Sequence, residues 1–342
     1  MALDPPPLED ATGAGGVTTP ARILVRAPNW IGDVVLSLGA LRDLRRNFPD
    51  ARFEILARPW VAPLYGAVQG IDAVRLSEGI QADAAALCGH FDAAVLFTNS
   101  FGTALTMALA RIPERSGYAT QGRGLLLTRR VRVPGEVRER SQVYYYRAMI
   151  SGLGLSVSAS PDTSLHAPVA WTERGKELLG DGAWVALNPG ASYGSAKQWI
   201  PARYAAVGER LARETGARVV ILGSAAERPL GEAIAGSMRE KPKLLCGETS
   251  LTDLVGVLSW LRLLVTNDSG PMHLAAALGV PLVAIFGSTS WRETAPRAPQ
   301  HRIVRADVDC APCMLRECPI DHRCMTRIGV EEVVAAAAEL LH

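Results

Sequence analysis

The stretch LLVTNDSGPMHLAAALGVPLVAIFGS, residues 263–288, carries strand, loop, helix and strand in immediate succession. Residues 261–265 are apolar apart from Arg262 and predict a short buried strand. Residues 266–271 are polar and turn-prone, and residues 273–278 are Ala/Leu-rich and predict a helix that Gly279 closes. Residues 281–286 are a second apolar strand. Strand, short helix and strand make a βαβ unit, which requires a parallel sheet with a right-handed crossover. Ligands of such sheets collect at the carboxyl ends of the strands, where Asn267, Asp268, Ser269 and Gly270 fall. Asp268-Ser269-Gly270 opens the helix, so main-chain N–H groups and the positive end of the helix dipole face an anion. The plainer account is that Asp268 or Ser269 caps the helix, and the residues alone allow both.

Composition sets the frame around this unit. A chain of 342 residues is long enough for two ordinary domains, each with its own core. Hydrophobic residues at 48% and charged residues at 20% are the proportions of a soluble globular protein. Basic and acidic residues number 36 and 34, a net charge of +2, which gives no general pull toward nucleic acid. No uninterrupted apolar run approaches a membrane span. Residues 1–20 are rich in Pro, Gly, Ala and Thr and lack a basic leader, so they read as a disordered tail rather than a signal peptide. That points to the cytosol, with the six cysteines reduced.

The first half repeats the alternation of strand and helix. RILVR, residues 22–26, predicts a strand. It is followed by Ala27-Pro28-Asn29-Trp30-Ile31-Gly32-Asp33 and a helix over 34–47 with Val34, Val35, Leu38, Leu41 and Leu44 at helical spacing. Asp33 therefore sits in a ligand-side loop or on a first helical turn, where the helix dipole alone would favour an acid. Residues 53–57 and 93–97 are further strands, the first leaving through Arg58-Pro59-Trp60 and the second through Thr98-Asn99-Ser100 into a helix over 101–111. Together they make an open α/β domain. A basic segment follows, with Arg111, Arg115, Arg123, Arg129, Arg130, Arg132, Arg138 and Arg140 interrupted by glycine-containing loops. A solvated positive face is one account of it. An acidic acceptor is the other and the favoured one, since arginine grips phosphate and carboxylate in two-point fashion. A helix over 141–152 and the Ser/Pro-rich residues 156–168 close this domain.

The second half opens with a strand over 184–187 and the small-residue loop NPGASYGSAK, residues 188–197, leading into a helix over 202–216. Glycines, serines and one lysine in such a loop suit phosphate, although the spacing of a Walker A loop is missing. The next strand, 218–222, leaves through Gly223-Ser224-Ala225-Ala226-Glu227. Glu227 is placed either to take a ribose hydroxyl or to charge a helix terminus.

Residues 27–56 (APNWIGDVVLSLGALRDLRRNFPDARFEIL), LNPGASYGSAKQW, VILGSAAE and VTNDSGPMHLAAALGVPLVAIFGSTS resemble glycosyltransferase family 9, and within it the ADP-heptose:lipopolysaccharide heptosyltransferases of the second branch. The likeness runs from about Ala21 to the C-terminus with the motifs in order. It implies an α/β fold of the GT-B type, two Rossmann-like domains facing across a cleft. Residues 21–168 would bind the acceptor and 169–328 the nucleotide-sugar, with a final helix over 329–342 returning to the first domain. It implies inverting, metal-independent transfer of L-glycero-D-manno-heptose from ADP-heptose to the inner core of lipopolysaccharide, with no cofactor. Residue by residue, Asp33 resembles the catalytic base and Lys197 the lysine that offsets charge on departing ADP, with Ser192 and Tyr193 beside it. Glu227 falls at the ribose position. Asp268, Ser269, Gly270 and His273 match the motif for pyrophosphate and sugar. By position rather than motif, Arg58 and Arg123 are expected on the acceptor's phosphate or carboxylates. A lipid-linked acceptor suggests peripheral contact with the inner face of the inner membrane through the arginines.

Two features stand apart. Asp307-Val308-Asp309, the one Asp-x-Asp pair, follows no strand-to-helix loop and reads as a solvated turn rather than a magnesium site. Cys310, Cys313, Cys318 and Cys324, with His322 nearby, have spacing near that of zinc ligands without the paired CxxC knuckles. Reduced, packed thiols are the expectation. Other readings remain: a family-9 transferase with another sugar or acceptor, a non-catalytic nucleotide-sugar binder in which Asp33 is dispensable, or, least favoured, a nucleic-acid binder, which the balanced charge opposes.

Overall fold

The structure, a computed structural model, describes residues 20–137 and 139–341. Residues 1–19 of the expected tail, Arg138 and His342 lie outside them. The chain divides into two units, Met1–Thr163 and Ser164–His342.

In the first unit the order is β1 (Arg22–Arg26), α1 (Ile31–Asn47), β2 (Arg52–Ala57), β3 (Ala73–Leu76), α2 (Ile80–Leu87), β4 (Ala93–Leu96), α3 (Phe101–Leu109), β5 (Glu114–Tyr118), β6 (Arg129–Val131) and α4 (Gln142–Gly152). The six strands are parallel in the order β3-β2-β1-β4-β5-β6. β1 lies at the centre, with Ile23 in register with both Phe53 and Ala93. Ile23, Leu24 and Val25 are buried, as a strand covered on both faces demands. The basic segment is not loop alone: the strands β5 and β6, at one edge of the sheet, run through it.

Helix α1 begins at Ile31, not Val34, which puts Asp33 in its first turn and Arg45 and Arg46 in its last, each sign where the dipole favours it. A buried ion pair fastens α1 to α4. Asp43, wholly inaccessible, takes the Arg147 guanidinium at 2.9 Å on one oxygen and the Ser158 N–H at 2.9 Å on the other. Arg147 and Arg46 donate further short bonds to the Ser158 carbonyl and to Asp43.

The second unit runs α5 (Val169–Leu179), β7 (Trp184–Asn188), α6 (Pro201–Thr215), β8 (Arg218–Ile221), α7 (Arg228–Ser237), β9 (Lys243–Leu244), α8 (Leu251–Leu258), β10 (Leu261–Asn267), α9 (Gly270–Ala277), β11 (Leu282–Phe286), α10 (Trp291–Thr294), β12 (His301–Arg305), α11 (Arg323–Thr326) and α12 (Val330–Leu341). Its parallel sheet has the order β12-β11-β10-β7-β8-β9. The strand order again reverses around the unit's first strand, β7, as it does around β1, which is the doubly wound, Rossmann-like arrangement. α6 ends on Gly216 in the left-handed conformation (φ 68°). α5 and α8 touch main chain to main chain: a Cβ on Gly256 would fall 1.9 Å from the Trp171 carbonyl oxygen, so no larger residue fits.

α12 packs against α6 and strands β10–β12 of its own unit. Val333, Val334 and Ala337 are buried in one core with Leu263, Val265, Val283 and Ile285. Its apolar stripe lies against the face of that sheet.

Replacing Arg147 with Met strands the buried Asp43 charge and should lower the unfolding free energy of the chain by roughly 3–5 kcal/mol. Urea titration would read this, and the double variant Asp43→Leu/Arg147→Met should recover much of the loss.

Candidate active site

In a sheet of this kind the crossovers leave toward opposite faces on either side of the first strand, opening a crevice at the carboxyl ends of that strand and its reversed neighbour. Those are β1 and β4 in the first unit, β7 and β10 in the second.

At the first crevice the loop after β1 delivers Asn29 and Asp33, and the loop after β4 delivers Thr98, Asn99 and Ser100. Asp33 is half-buried on the first turn of α1. Its charge reaches two tyrosines of α4. Burial holds the Tyr146 phenol well above its ordinary value and Asp33 adds to the rise. Burial likewise raises Tyr145, against a hydrogen bond from Asn99 and the charge of Arg123, with Asp33 again adding. Asn99 Nδ2 donates to the Tyr145 hydroxyl at 2.8 Å.

Arg123 is not where an acceptor could meet it. It is fully buried, and its guanidinium donates to the Tyr118 carbonyl at 2.7 Å, to the Thr98 carbonyl in a short bond and to Asn99 Oδ1 at 3.4 Å. It supports the β4 loop from beneath, and burial pulls its guanidinium down to about 10, still protonated at neutral pH. Arg58 is only half-buried, with its guanidinium 5.9 Å from the Trp60 ring. Close by lies Arg26, which the sequence presents only as the end of a strand. Arg26 is buried, donates to the Ala27 carbonyl at 2.6 Å and Asn29 Oδ1 at 3.0 Å, and is drawn down to about 10 by burial and then by Arg58. The two arginines share a cavity of about 140 Å³ with Ser77, Asp83, Ser100 and Thr103.

The second crevice is a dense polar knot. Asn188, last in β7, donates to Thr266 Oγ1 at 3.0 Å and Ser269 Oγ at 3.1 Å. Asn267, last in β10, donates to the Pro189 carbonyl at 2.6 Å and accepts from Tyr204 Oη at 2.9 Å and the Trp199 N–H at 3.2 Å. These bonds hold both ends of the loop that carries Ser192, Tyr193 and Lys197. Asp268 is buried, and its Oδ2 accepts from Lys197 Nζ at 2.7 Å, Thr289 Oγ1 at 2.7 Å and Thr294 Oγ1 at 3.3 Å. Ser269 stands at the N-cap of α9, but its side chain makes no capping bond. The first turn of α9 therefore has no side-chain cap bond among the described residues.

His273 lies one turn into α9, 5% exposed, and its Nδ1 has no partner among the described residues. Burial pushes it down to about 4, with Asp268 opposing and Lys197 reinforcing. Ser288 Oγ, at the exit of β11, is also buried and unpartnered among the described residues. Glu227 takes the Ser224 N–H at 2.7 Å and Oγ at 2.8 Å, the helix-terminal role anticipated as one alternative. Its carboxylate also lies against the loop of residues 188–197, since a Cβ on Gly190 would sit 1.9 Å from Oε1. Ser192 is exposed, and Tyr193 donates to the Met314 carbonyl at 2.8 Å.

The cysteines form no disulfide among the described residues. All are free, and Cys324 is pushed up to about 11 by burial and by Cys310, Cys318 and Cys313 around it. Among the described residues no three His, Cys, Asp or Glu side chains are grouped to hold a metal ion. His322 turns away to the Ala196 carbonyl, 2.9 Å from its Nε2. The Asp307 and Asp309 side chains are 98% and 87% exposed.

Sheets of this order, with polar side chains gathered where the order reverses, define the doubly wound α/β class. Known proteins narrow it. The glycosyltransferase family 9 (heptosyltransferase) profile matches residues 82–323. Lipopolysaccharide heptosyltransferase 2 of Escherichia coli (strain K12) is 31% identical over 310 residues, covering 83% of this chain and 88% of that one. Lipooligosaccharide heptosyltransferase 2 of Campylobacter jejuni is 29% identical over 336 residues, covering 94% and 98%. The solved structure of the E. coli ADP-heptose lipopolysaccharide heptosyltransferase II superposes with a TM-score of 0.81 at 27% identity, covering 94% and 98%. The chain belongs to glycosyltransferase family 9, and it is a glycosyltransferase with the α/β, GT-B-type fold.

The unfolded chain binds a proton at His273 near the ordinary 6.5, the folded chain only near 4. Folding stability should therefore fall as the pH drops from 7 to 5, by about 2 kcal/mol from this residue. Urea unfolding of wild type and His273→Gln at both pH values would show it, the variant losing less by that amount.

Proposed function

We propose that this glycosyltransferase moves L-glycero-D-manno-heptose from ADP-heptose to the heptose/Kdo inner core of lipopolysaccharide, with inversion and without a metal. The observation that carries the reading is the uncapped N-terminus of α9, beside Lys197 and an unpartnered neutral His273, in a chain 31% identical to a lipopolysaccharide heptosyltransferase 2. That arrangement suits a diphosphate whose charge grows as it departs. Fixed N–H dipoles and a lysine stabilise the developing charge without having to reorganise. Glu227, lying against Gly190, remains available to the ribose, and Ser192 and Tyr193 to the phosphates and sugar. Asp33 acts as general base, taking the proton of the acceptor hydroxyl as that oxygen attacks the anomeric carbon. One base, one stabilised leaving group and no covalent nucleophile are the requirements of a single inverting displacement.

For the acceptor, Arg58 and the Arg26 beside it suit a phosphate or carboxylate, and Arg123 is withdrawn from that role. Among the described residues no helix is long and apolar enough to cross a membrane. Peripheral contact with the inner face of the inner membrane is part of the same reading, carried by exposed Arg111, Arg130 and Arg132. Arg130→Glu/Arg132→Glu should lose co-sedimentation with anionic vesicles; unchanged binding would remove the membrane contact.

The test is ADP release from ADP-heptose, with and without heptosylated Kdo-lipid A, in the presence of EDTA. Release should require the acceptor. Asp33→Ala should lower kcat by roughly 10²–10⁴-fold with donor affinity kept, and Lys197→Ala by roughly 10²–10³-fold. Donor binding without turnover on this acceptor would redirect the search to another acceptor. No donor binding would sink the substrate assignment, and full activity in Asp33→Ala would favour the reading in which Asp33 is dispensable.

A further inference from the structure

The charges of the second crevice do not offset an anionic ligand. Lys197, its one lysine, is held at 2.7 Å by the carboxylate of Asp268. His273 is neutral at pH 7, and the Glu227 carboxylate lies against Gly190 of the same loop. A diphosphate carries at least two negative charges, so the dipole of α9 and a neutralised lysine leave it short of a counter-charge.

A further cation comes from the cysteine-bearing segment between β12 and α11, which folds onto the Lys197 loop. Arg316 hands its carbonyl to the Ala196 N–H at 3.0 Å. Gly194 is what permits this approach, since a Cβ there would lie 2.2 Å from that carbonyl oxygen. Tyr193 completes the clasp by donating to the Met314 carbonyl at 2.8 Å. The main chain of the segment is thus held by backbone and tyrosine bonds, and the guanidinium of Arg316 is not needed for that. The guanidinium lies over the Tyr193 ring at 5.3 Å, and Lys197 Nζ is 5.0 Å from the same ring, so the two cations are at most about 10 Å apart. Arg316 is exposed and has no ion pair among the described residues. An arginine stacked on an aromatic ring, with its donor edge free, is preorganised for two-point binding of phosphate.

We propose that Arg316 binds the diphosphate of the nucleotide donor and supplies the counter-charge that Asp268 withdraws from Lys197. The inference rests on the donor-site reading given above. The segment that carries Cys310, Cys313 and Cys318 then has a function, to deliver this arginine over the donor loop, and Tyr193 is the platform that aims it.

Calorimetric titration of the full chain with ADP and, separately, with adenosine tests it. Arg316→Ala should weaken ADP roughly tenfold and leave adenosine within about twofold, Arg316→Lys should restore part of the loss, and the donor KM should rise. Unchanged ADP affinity in Arg316→Ala overturns the inference while wild-type binding and turnover leave the donor-site reading intact. An equal loss for ADP and adenosine also overturns it, since that is the mark of a merely structural loop contact. A wild-type chain that binds neither ligand removes the donor-site reading and the inference together.

Discussion

The order reversal in two parallel sheets is the constraint on which the rest of the protein depends. A parallel strand can be reached only by a crossover, and crossovers are right-handed, so changing the direction of strand addition sends successive helices to opposite faces. In each unit the first strand is the pivot, β1 between β2 and β4, β7 between β8 and β10. Polar groups at the ends of the pivot and its reversed neighbour have no helix above them. They are left to bind one another or a ligand. Asp33 and Asn99 arise this way in one unit, and Asn188, Lys197, Asp268 and Ser269 in the other.

The two crevices meet this condition differently. In the first unit, arginines serve as scaffold. Arg26 and Arg123 are buried with their donors on main-chain carbonyls, and Arg115 donates to the Leu126 and Ile112 carbonyls. A guanidinium with five donors can tie off the carbonyls of several loops at once, which a lysine cannot. In the second unit, two asparagines fill this role, because an amide side chain both donates and accepts and so can close a loop on a strand end. Asn188 joins the ends of β7 and β10, and Asn267 ties the Lys197 loop at both ends. The groups left over there, His273 Nδ1 and Ser288 Oγ, are polar, buried and unpartnered among the described residues, a cost that folded proteins accept at functional sites.

The basic segment is the least legible stretch of the sequence. Its eight arginines read as a charged surface, yet β5 and β6 run through it at the sheet edge. β6, the edge strand, is only three residues long, and β5 opens on Glu114 and Arg115 before its buried Ser116, Gly117 and Tyr118, so neither shows a clear two-residue period. The role of Arg123 is hidden for a related reason. Position after a cleft-forming loop fixes which element a residue is on, but not whether its side chain turns toward solvent or under the loop. The short helix α2, IQADAAAL, leaves no mark either, since its alanine-rich sequence has no clear period.

What the sequence by itself determined was the pair of Rossmann-like sheets and the loops that could hold chemistry. Short apolar strands, glycine stops and short crossover helices are local patterns, set by period and backbone preference, and Asp33, Lys197, Glu227, Asp268 and His273 could be placed on them. Tertiary structure decided what those residues face. It paired Lys197 with Asp268, denied α9 a cap, kept His273 neutral, sank Arg123 and folded α12 back onto its own sheet. Hydrogen-bond partners, burial and charge depend on what distant segments bring within a few ångströms, and no local pattern encodes that distance. Arg316, 119 positions from Lys197 in the chain (316 less 197) and gathered over the same tyrosine ring, is the clearest case.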